Sequence, residues 1–279
     1  MMNYFYYIKI LSNLEEGEKL TDLIWTEHSL GVEENRSDKV VCYIAYFVDP
    51  ESVEKLKAEV EKLSNYKIEE IDKIEQKDWI EDWMRQMKPR KISKDIIIVY
   101  DLQSKRRGFK NKIVITILPA LAFGTGFHES TILCMKEINS MNLKGKTILD
   151  VGSGTGILSI LGIKKGAKKA VALDIDEDAI KETIRNSFYN KVNKKIITII
   201  GAVDCLRNIN FDLIFSNLYK RAILEHMEKI IAMLKPGGKW ILSGITLEEK
   251  VEIDERLKLY SSKRKWRKMN DWVCCTFTK

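Results

Sequence analysis

Two hydrophobic periods alternate along the first 75 residues. The runs from Tyr4 to Leu11 and from Val40 to Val48 are rich in aromatic and β-branched residues, which predicts strands. Between them, Leu20, Leu23 and Ile24 fall at helical spacing within residues 17–28. Asp49-Pro50 then opens a second helix, with the aspartate as cap and the proline in the first turn. Val53, Leu56, Val60 and Leu63 follow on one face of it. Residues 66–74 predict a further strand. Strand, helix, strand, helix, strand is the pattern of a small α+β ferredoxin-like domain, with one extra strand allowed.

The next segment, QKDWIEDWMRQMKPRKI, is different. Trp79, Trp83 and Met87 lie on one helix face and Pro89 ends the helix, so residues 76–92 are expected to form a linker helix. Ile96 to Tyr100 and Ile113 to Leu118 predict two strands, read as a hairpin whose basic tip, Lys105-Arg106-Arg107, is solvated. From residue 130 onward, helical and strand patterns alternate. Strands are expected at 147–151, 170–175, 196–200, 211–216, 240–243 and 272–277. One intervening helix, 179–189, presents Ile180, Ile184 and Phe188 on one face, and another, 222–234, presents Ile223, Met227, Ile230, Ile231 and Leu234. Short apolar strands alternating with helices predict an α/β, doubly wound parallel sheet covered on both faces. The expected domains are residues 1–75, the linker 76–92, and 93–279.

Composition narrows the class. With 45% hydrophobic and 31% charged residues, the chain of 279 is too apolar for disorder and too charged for an integral membrane protein. The longest charge-free run, Ile113 to His128, contains Pro119, Gly124 and Gly126 and falls short of a membrane span. The aromatic start reads as a strand, not as a signal peptide. Five cysteines without a CxxC pair predict free buried thiols in a reducing cytoplasm, and no metal site. The net charge of +7 is unevenly spread. Residues 1–90 hold 13 Lys/Arg and 20 Asp/Glu, net −7, which leaves +14 for the remainder. That split suits two domains with different electrostatic partners.

The chemistry concentrates in Leu149-Asp150-Val151-Gly152-Ser153-Gly154-Thr155-Gly156, between a strand and a helix. The spacing is GxGxG after an acidic residue, neither the dinucleotide GxGxxG nor a P-loop. It points to a ligand with a ribose and an amino-acid moiety. Asp174, 22 residues after Gly152, ends the next strand, where a carboxylate can accept both ribose hydroxyls. Asp178, in contrast, reads as an acid favoured at a helix N-terminus.

This combination resembles the class I S-adenosylmethionine-dependent methyltransferases. With Ala122-Phe123-Gly124-Thr125-Gly126-Phe127-His128-Glu129-Ser130-Thr131, Phe215-Ser216-Asn217-Leu218, Leu234-Lys235-Pro236-Gly237-Gly238 and Asn270-Asp271-Trp272-Val273, the chain is similar to the ribosomal protein L11 methyltransferase family along essentially its whole length. The resemblance implies S-adenosyl-L-methionine as cofactor and a Rossmann-like methyltransferase fold. Thr131, Gly152, Asp174 and Asn217 match that family's cofactor-contacting positions, and Gly154 and Gly156 are expected to allow close backbone approach. The loop from Phe123 to His128 is expected to cover the methionine end of the cofactor, and Asn217 to sit beside the acceptor nitrogen. His128 reads either as a base or as a residue fixing its loop. Two departures bear on the substrate. Phe127 precedes His128 with Glu129-Ser130 after it, and Tyr219 follows Asn217-Leu218.

The implied activity is N-methylation of amino groups of ribosomal protein L11 by a cytoplasmic monomer that needs neither a membrane nor direct contact with nucleic acid. Two rivals remain at this point. One is the same fold acting on another protein's lysine or on a small molecule. The other is a non-catalytic RNA-binding protein using the basic run Lys263-Arg264-Lys265-Trp266-Arg267-Lys268.

Overall fold

β1 (Tyr4–Ser12), α1 (Gly17–Thr26), β2 (Gly31–Arg36), β3 (Val41–Phe47), α2 (Pro50–Glu61) and β4 (Tyr66–Glu75) form one antiparallel sheet of order β2-β3-β1-β4 with two helices. Buried and half-buried positions alternate strictly along β3, which puts Val41, Tyr43, Ala45 and Phe47 on the face packed by Leu20, Ile24, Val53, Leu56 and Val60. Asp49 caps α2, its carboxylate accepting from Ser52 N at 2.9 Å, and Pro50 opens the helix. The additional strand is β2. Its sequence, GVEENR, has almost no apolar residue, because an edge strand needs little burial to pair.

A computed structural model describes residues 4–13, 17–27, 29, 31–37, 40–75, 88–100, 109–118, 124–207 and 209–279. These divide between two compact units, residues 1–86 and 87–279. Trp79, Trp83 and Met87 of the expected linker helix lie outside the described residues. Its last residues are not helical: β5 (Arg90–Lys91) pairs antiparallel with β6 (Ile96–Val99) just after Pro89. β6 pairs with β7 (Ile113–Thr116) in parallel, so the expected hairpin is a crossover connection instead. Lys105-Arg106-Arg107 falls outside the described residues.

The second unit continues with α3 (Glu129–Asn139), β8 (Thr147–Val151), α4 (Ile157–Lys164), β9 (Lys169–Asp174), α5 (Glu177–Tyr189), β10 (Ile196–Ile200), β11 (Phe211–Asn217), α6 (Lys220–Ala232), β12 (Leu234–Thr246), α7 (Lys250–Lys258), β13 (Arg264–Met269) and β14 (Trp272–Thr278). The sheet order is β10-β9-β8-β11-β12-β14-β13; the first five strands are parallel and the last two antiparallel. Successive residues feed opposite faces. Ile148, Leu213, Phe215 and Ile241 join the core under α3 and α4, whereas Leu149, Ile214, Trp240 and Leu242 join the core under α6 and α7. The expected doubly wound sheet is present, with α7 and β13 as additional elements. Residues 264–268 of the basic run lie in strand β13, at the sheet's edge.

α5 departs from its sequence pattern. Ile184 is 49% and Phe188 66% exposed, and the buried face is instead Ala179, Ile180, Thr183, Asn186 and Ser187. Polar residues are buried there because each has a backbone partner. Asn186 accepts from Leu118 N at 3.1 Å and donates to Thr155 O at 3.0 Å. Asn190 accepts from Thr116 N at 3.0 Å and donates to Thr116 O at 2.6 Å.

Asn186→Ala strips partners from two backbone groups, at about 1–3 kcal/mol each when buried. Urea unfolding is expected to show a loss of about 2–4 kcal/mol. An unchanged midpoint would mean that these bonds are replaced without cost.

Candidate active site

β8 and β11 are neighbours, but the chain continues from them in opposite directions, to β9 and β10 on one side and to β12 on the other. The crevice at such a switch point is where open parallel sheets bind ligands. The glycine segment leaves β8 at this point. Gly152, Gly154 and Gly156 all have positive φ, at 72°, 53° and 76°. Gly152 N and Ser153 N both donate to Leu173 O, at 2.8 and 3.0 Å, which folds the loop back over β9. A Cβ on Gly152 would lie 2.4 Å from Leu218 Cδ2, so only glycine combines this φ with this contact.

Asp174 ends β9 beside the loop. Its Oδ2 accepts from Gly154 N at 2.9 Å and its Oδ1 accepts from Asp176 N at 3.1 Å. The carboxylate is therefore aimed by two backbone N–H groups and stays half-buried. Asp176 caps α5, with Glu177 and Asp178 in its first turn.

Asn217 is the last residue of β11. Its Nδ2 donates to Thr131 Oγ1 at 3.1 Å, which brings together two residues 86 positions apart. Its Oδ1 is buried with no hydrogen-bond partner. A buried amide oxygen left unpaired costs about 1–3 kcal/mol, so this atom marks a place where a donor belongs.

Thr155 Oγ1 donates to Gly124 O at 2.6 Å and so ties the glycine loop to residues 124–128. His128 caps α3: its Nδ1 accepts from Ser130 N at 3.3 Å and lies 2.7 Å from Ser130 Oγ, and its ring meets Trp272 edge-on at 4.3 Å. These contacts are those of a loop-fixing residue. Phe127 stacks on Tyr100 at 5.0 Å, and the Arg90 guanidinium covers the Phe127 ring at 4.8 Å. Phe123 lies outside the described residues. Thr131, Gly152, Gly154, Gly156, Asp174 and Asn217 are thus gathered at one end of the sheet. Residues missed in the sequence are Thr155 and Thr183, which hold the loop, and Tyr100, whose hydroxyl is buried without a partner. Leu218 could have been noticed from its place after Asn217.

Asp150 lies beneath the loop. It is 1% exposed, and its Oδ2 accepts from Ser159 N at 3.0 Å and Ser159 Oγ at 2.8 Å. Burial pushes its pKa up to about 7, against the pull of the two Ser159 bonds, and the Asp174 charge adds to the rise. Among the described residues no group of three His, Cys, Asp or Glu side chains could hold a metal ion, and no helix is long and apolar enough to cross a membrane. Cys134, Cys274 and Cys275 are free and buried, but Cys205 is exposed, contrary to the expectation of buried thiols throughout.

A family model described as ribosomal protein L11 methyltransferase (PrmA) matches residues 12–279. The ribosomal protein L11 methyltransferase of Prochlorococcus marinus is 33% identical over 100% of this chain and 99% of its own length. That of Halalkalibacterium halodurans is 30% identical over 74% of this chain and 68% of its own. Among solved structures, the ribosomal protein L11 methylase of Lactobacillus delbrueckii subsp. bulgaricus superposes with a TM-score of 0.61 at 27% identity, covering 68% of this chain and 97% of that one.

The raised pKa of Asp150 has a definite sign. The folded state holds the proton that the unfolded chain releases near pH 4, so this residue's contribution to stability falls as pH rises from about 4 to about 7. Relative to Asp150→Asn, the native chain is expected to lose up to about 1.4 kcal/mol per pH unit across that window and nothing further above it. Urea unfolding of both at pH 5, 6, 7 and 8 measures this, and parallel profiles would refute it.

Proposed function

Because the chain belongs to the ribosomal protein L11 methyltransferase family, we propose that it transfers methyl groups from S-adenosyl-L-methionine to amino groups of ribosomal protein L11, as a cytoplasmic monomer. The observation that carries the residue assignment is the buried, unpaired Oδ1 of Asn217 at the carboxyl end of β11, across from the glycine loop. An acceptor amine is a donor that would satisfy it.

The residues present fit the cofactor. Asn217 Oδ1 is a buried acceptor without a partner beside the glycine loop, and Asp174 is an aimed carboxylate at the height of that loop. Gly152, Gly154 and Gly156 would hold the cofactor through their backbone, Asp174 its ribose hydroxyls, and Thr131 with Asn217 its amino-acid end. When bound, S-adenosyl-L-methionine supplies an electrophilic methyl group on a sulfonium. The leaving group is neutral, so no new anion needs stabilisation, and the chain's contribution is position. Asn217 is held by Thr131 on one side, which leaves Oδ1 to fix the direction of the amine lone pair. The amine must arrive unprotonated. An α-amine, with its ordinary pKa near 8, loses its proton more readily than a lysine near 10.4, and desolvation in the slot lowers either. His128 is assigned to shaping the slot and not to proton removal, because its Nδ1 is engaged in capping α3. Phe123 is assigned to the cover of the slot on the resemblance alone.

The first unit is proposed to recognise the substrate. Tyr7 and Tyr46 pair across β1 and β3, hydrogen-bonded to Glu70 and Glu33 at 2.9 and 3.2 Å, on the sheet face opposite the helices. An acidic, aromatic face suits a basic ribosomal protein, chiefly by steering.

Mass spectrometry of L11 incubated with the purified chain and cofactor tests the activity; an unmodified L11 would overturn it. Asp174→Ala is expected to weaken cofactor binding about 10- to 150-fold by calorimetry, the range for charge-assisted hydrogen bonds. Asn217→Ala is expected to keep its melting temperature within a few degrees while turnover at saturating cofactor falls by about 10²-fold. Full turnover would return Asn217 to the role of a turn residue.

A further inference from the structure

The two ends of the parallel strands differ in charge. At the carboxyl ends lie the uncharged glycine loop and the acidic turn Asp174-Ile175-Asp176-Glu177-Asp178. At the amino ends the chain enters β8 through SMNLKGK, β9 through KGAKK, β10 through NKVNKK, and opens β12 with LKPGGK. None of these four segments contains a carboxylate. The segment entering β11 supplies one, Asp212, which is engaged by Lys146 at 3.4 Å and Lys235 at 2.9 Å.

The fold makes these segments contiguous. Lys168 N donates to Lys146 O at 2.8 Å, Gly145 N donates to Gly166 O at 3.0 Å, Thr147 pairs with Lys169, and Ala170 pairs with Ile196 directly after Lys195. Lys144, Lys168, Lys169, Lys194 and Lys195 are exposed, and among the described residues none of the five has a carboxylate within ion-pair distance. Beside them opens a cleft of about 640 Å³ lined by Phe188, Tyr189, Lys191, Lys194 and Lys195. Phe188 is 66% exposed, from the helix face whose apolar pattern the core does not use. A second cleft, of about 380 Å³, brings Lys146, Lys239 and Lys265 of edge strand β13 together at the same end of the sheet; its two carboxylates are already engaged, Asp212 by Lys146 and Lys235 and Glu137 by Arg267.

We propose that this amino-terminal edge of the seven-stranded sheet binds single-stranded RNA, with the lysines on the phosphates and Phe188 as a platform for a base. Unpaired lysines in a continuous row supply the sequence-independent attraction of a phosphate backbone. An exposed ring among them is the partner for an unstacked base. The site is separate from the methyl-transfer centre by the length of β8, about 16 Å at about 3.3 Å per residue, so RNA and cofactor do not compete. The choice of RNA over other polyanions rests on the reading that the substrate is a ribosomal protein, which meets RNA in its working state.

Fluorescence anisotropy of the full-length chain with a labelled oligo(U) of about 20 nucleotides, without cofactor or L11, tests this independently of the methyltransferase reading. Affinity is expected to fall steeply between about 50 and 200 mM salt. Joint substitution of Lys168→Gln, Lys169→Gln, Lys194→Gln and Lys195→Gln should weaken binding at least about tenfold and flatten the salt slope by about 0.7 for each phosphate that is no longer neutralised. Phe188→Ala should weaken binding about 5- to 150-fold with the slope unchanged. Both variants should still methylate free L11, which reports that they fold. The proposal is overturned by no binding at about 50 mM salt, or by either variant binding as the native chain does. It is equally overturned if polyglutamate displaces the label as well as unlabelled oligo(U), since the face would then suit an acidic protein.

Discussion

The glycines of the loop have no side chains with which to hold its shape, so the site depends on what grips the loop's backbone and its two hydroxyls, Ser153 and Thr155. That grip comes from the buried polar face of α5. Thr183 Oγ1 donates to Gly154 O at 2.8 Å and lies 3.2 Å from Ser153 Oγ, and Asn186 holds Thr155 O. The same face takes hold of Thr116 and Leu118 through Asn190 and Asn186, and thereby fixes the end of β7 to the glycine loop. Such buried polar groups are tolerated only because each has its partner; one missing bond would cost more than the average bond contributes. α5 therefore gives up apolar burial on Ile184 and Phe188 in exchange for a loop with one defined shape.

From the other side the loop is bounded by Leu218. This residue is fitted between two glycines, Gly152 and Gly244, at each of which a Cβ would lie about 2.4–2.5 Å from its atoms. Leu218 N also donates to Ser243 O at 3.0 Å, which locks the exit of β11 onto β12. Asn217, one residue earlier, inherits that rigidity. Its amide is further aimed by Thr131 from α3, an element on the opposite side of the glycine loop in sequence. The position of Asn217 is thus set by β11, β12 and α3 together, which would matter for the role proposed for it, since an error of even ~1 Å at a reacting centre is costly.

Most of the fold was legible in the chain because its buried strands and helices carry plain periodic signals. Asp49 capping α2, the apolar stripe of α6 and the glycine turn after β8 are all readable from residue type and spacing. The gaps have physical reasons. β2 and β13 are edge strands rich in charge, stabilised by pairing and not by burial, so their sequences resemble loops. β6 and β7 are adjacent in sequence but parallel, and nothing in two short apolar runs tells a hairpin from a crossover. On α5 periodicity placed Ile180 correctly but Ile184 and Phe188 on the wrong side, because Asn and Thr are read as surface residues unless their partners, here backbone groups 29 to 74 positions away, are known. Within the site, the residues to which ligand binding is assigned stood out by motif, whereas Thr155, Thr183 and Asn186, which hold their backbone in place, did not.

Asn217 Oδ1 is one of a few buried side-chain atoms in the described residues of the second unit without a hydrogen-bond partner, with Tyr100 Oη and Thr116 Oγ1 among the others, and it is the one that lies at the carboxyl end of β11 across from the glycine loop. It has no partner although its residue is only half-buried, while the fully buried Asn186 and Asn190 both accept and donate through their amides. An amide that served only to tie β11 to α3 would gain by turning both ends toward backbone. Holding Nδ2 on Thr131 and leaving Oδ1 empty is a cost to folding that the clamp of α5 and the wedge of Leu218 must offset. On the proposed reading that cost is offset when a donor enters, and the same atom would favour the arrival of an amine in one orientation. For the proposed transfer, in which the leaving group is neutral and position is the main requirement, an acceptor held at a rigid strand end would supply that position.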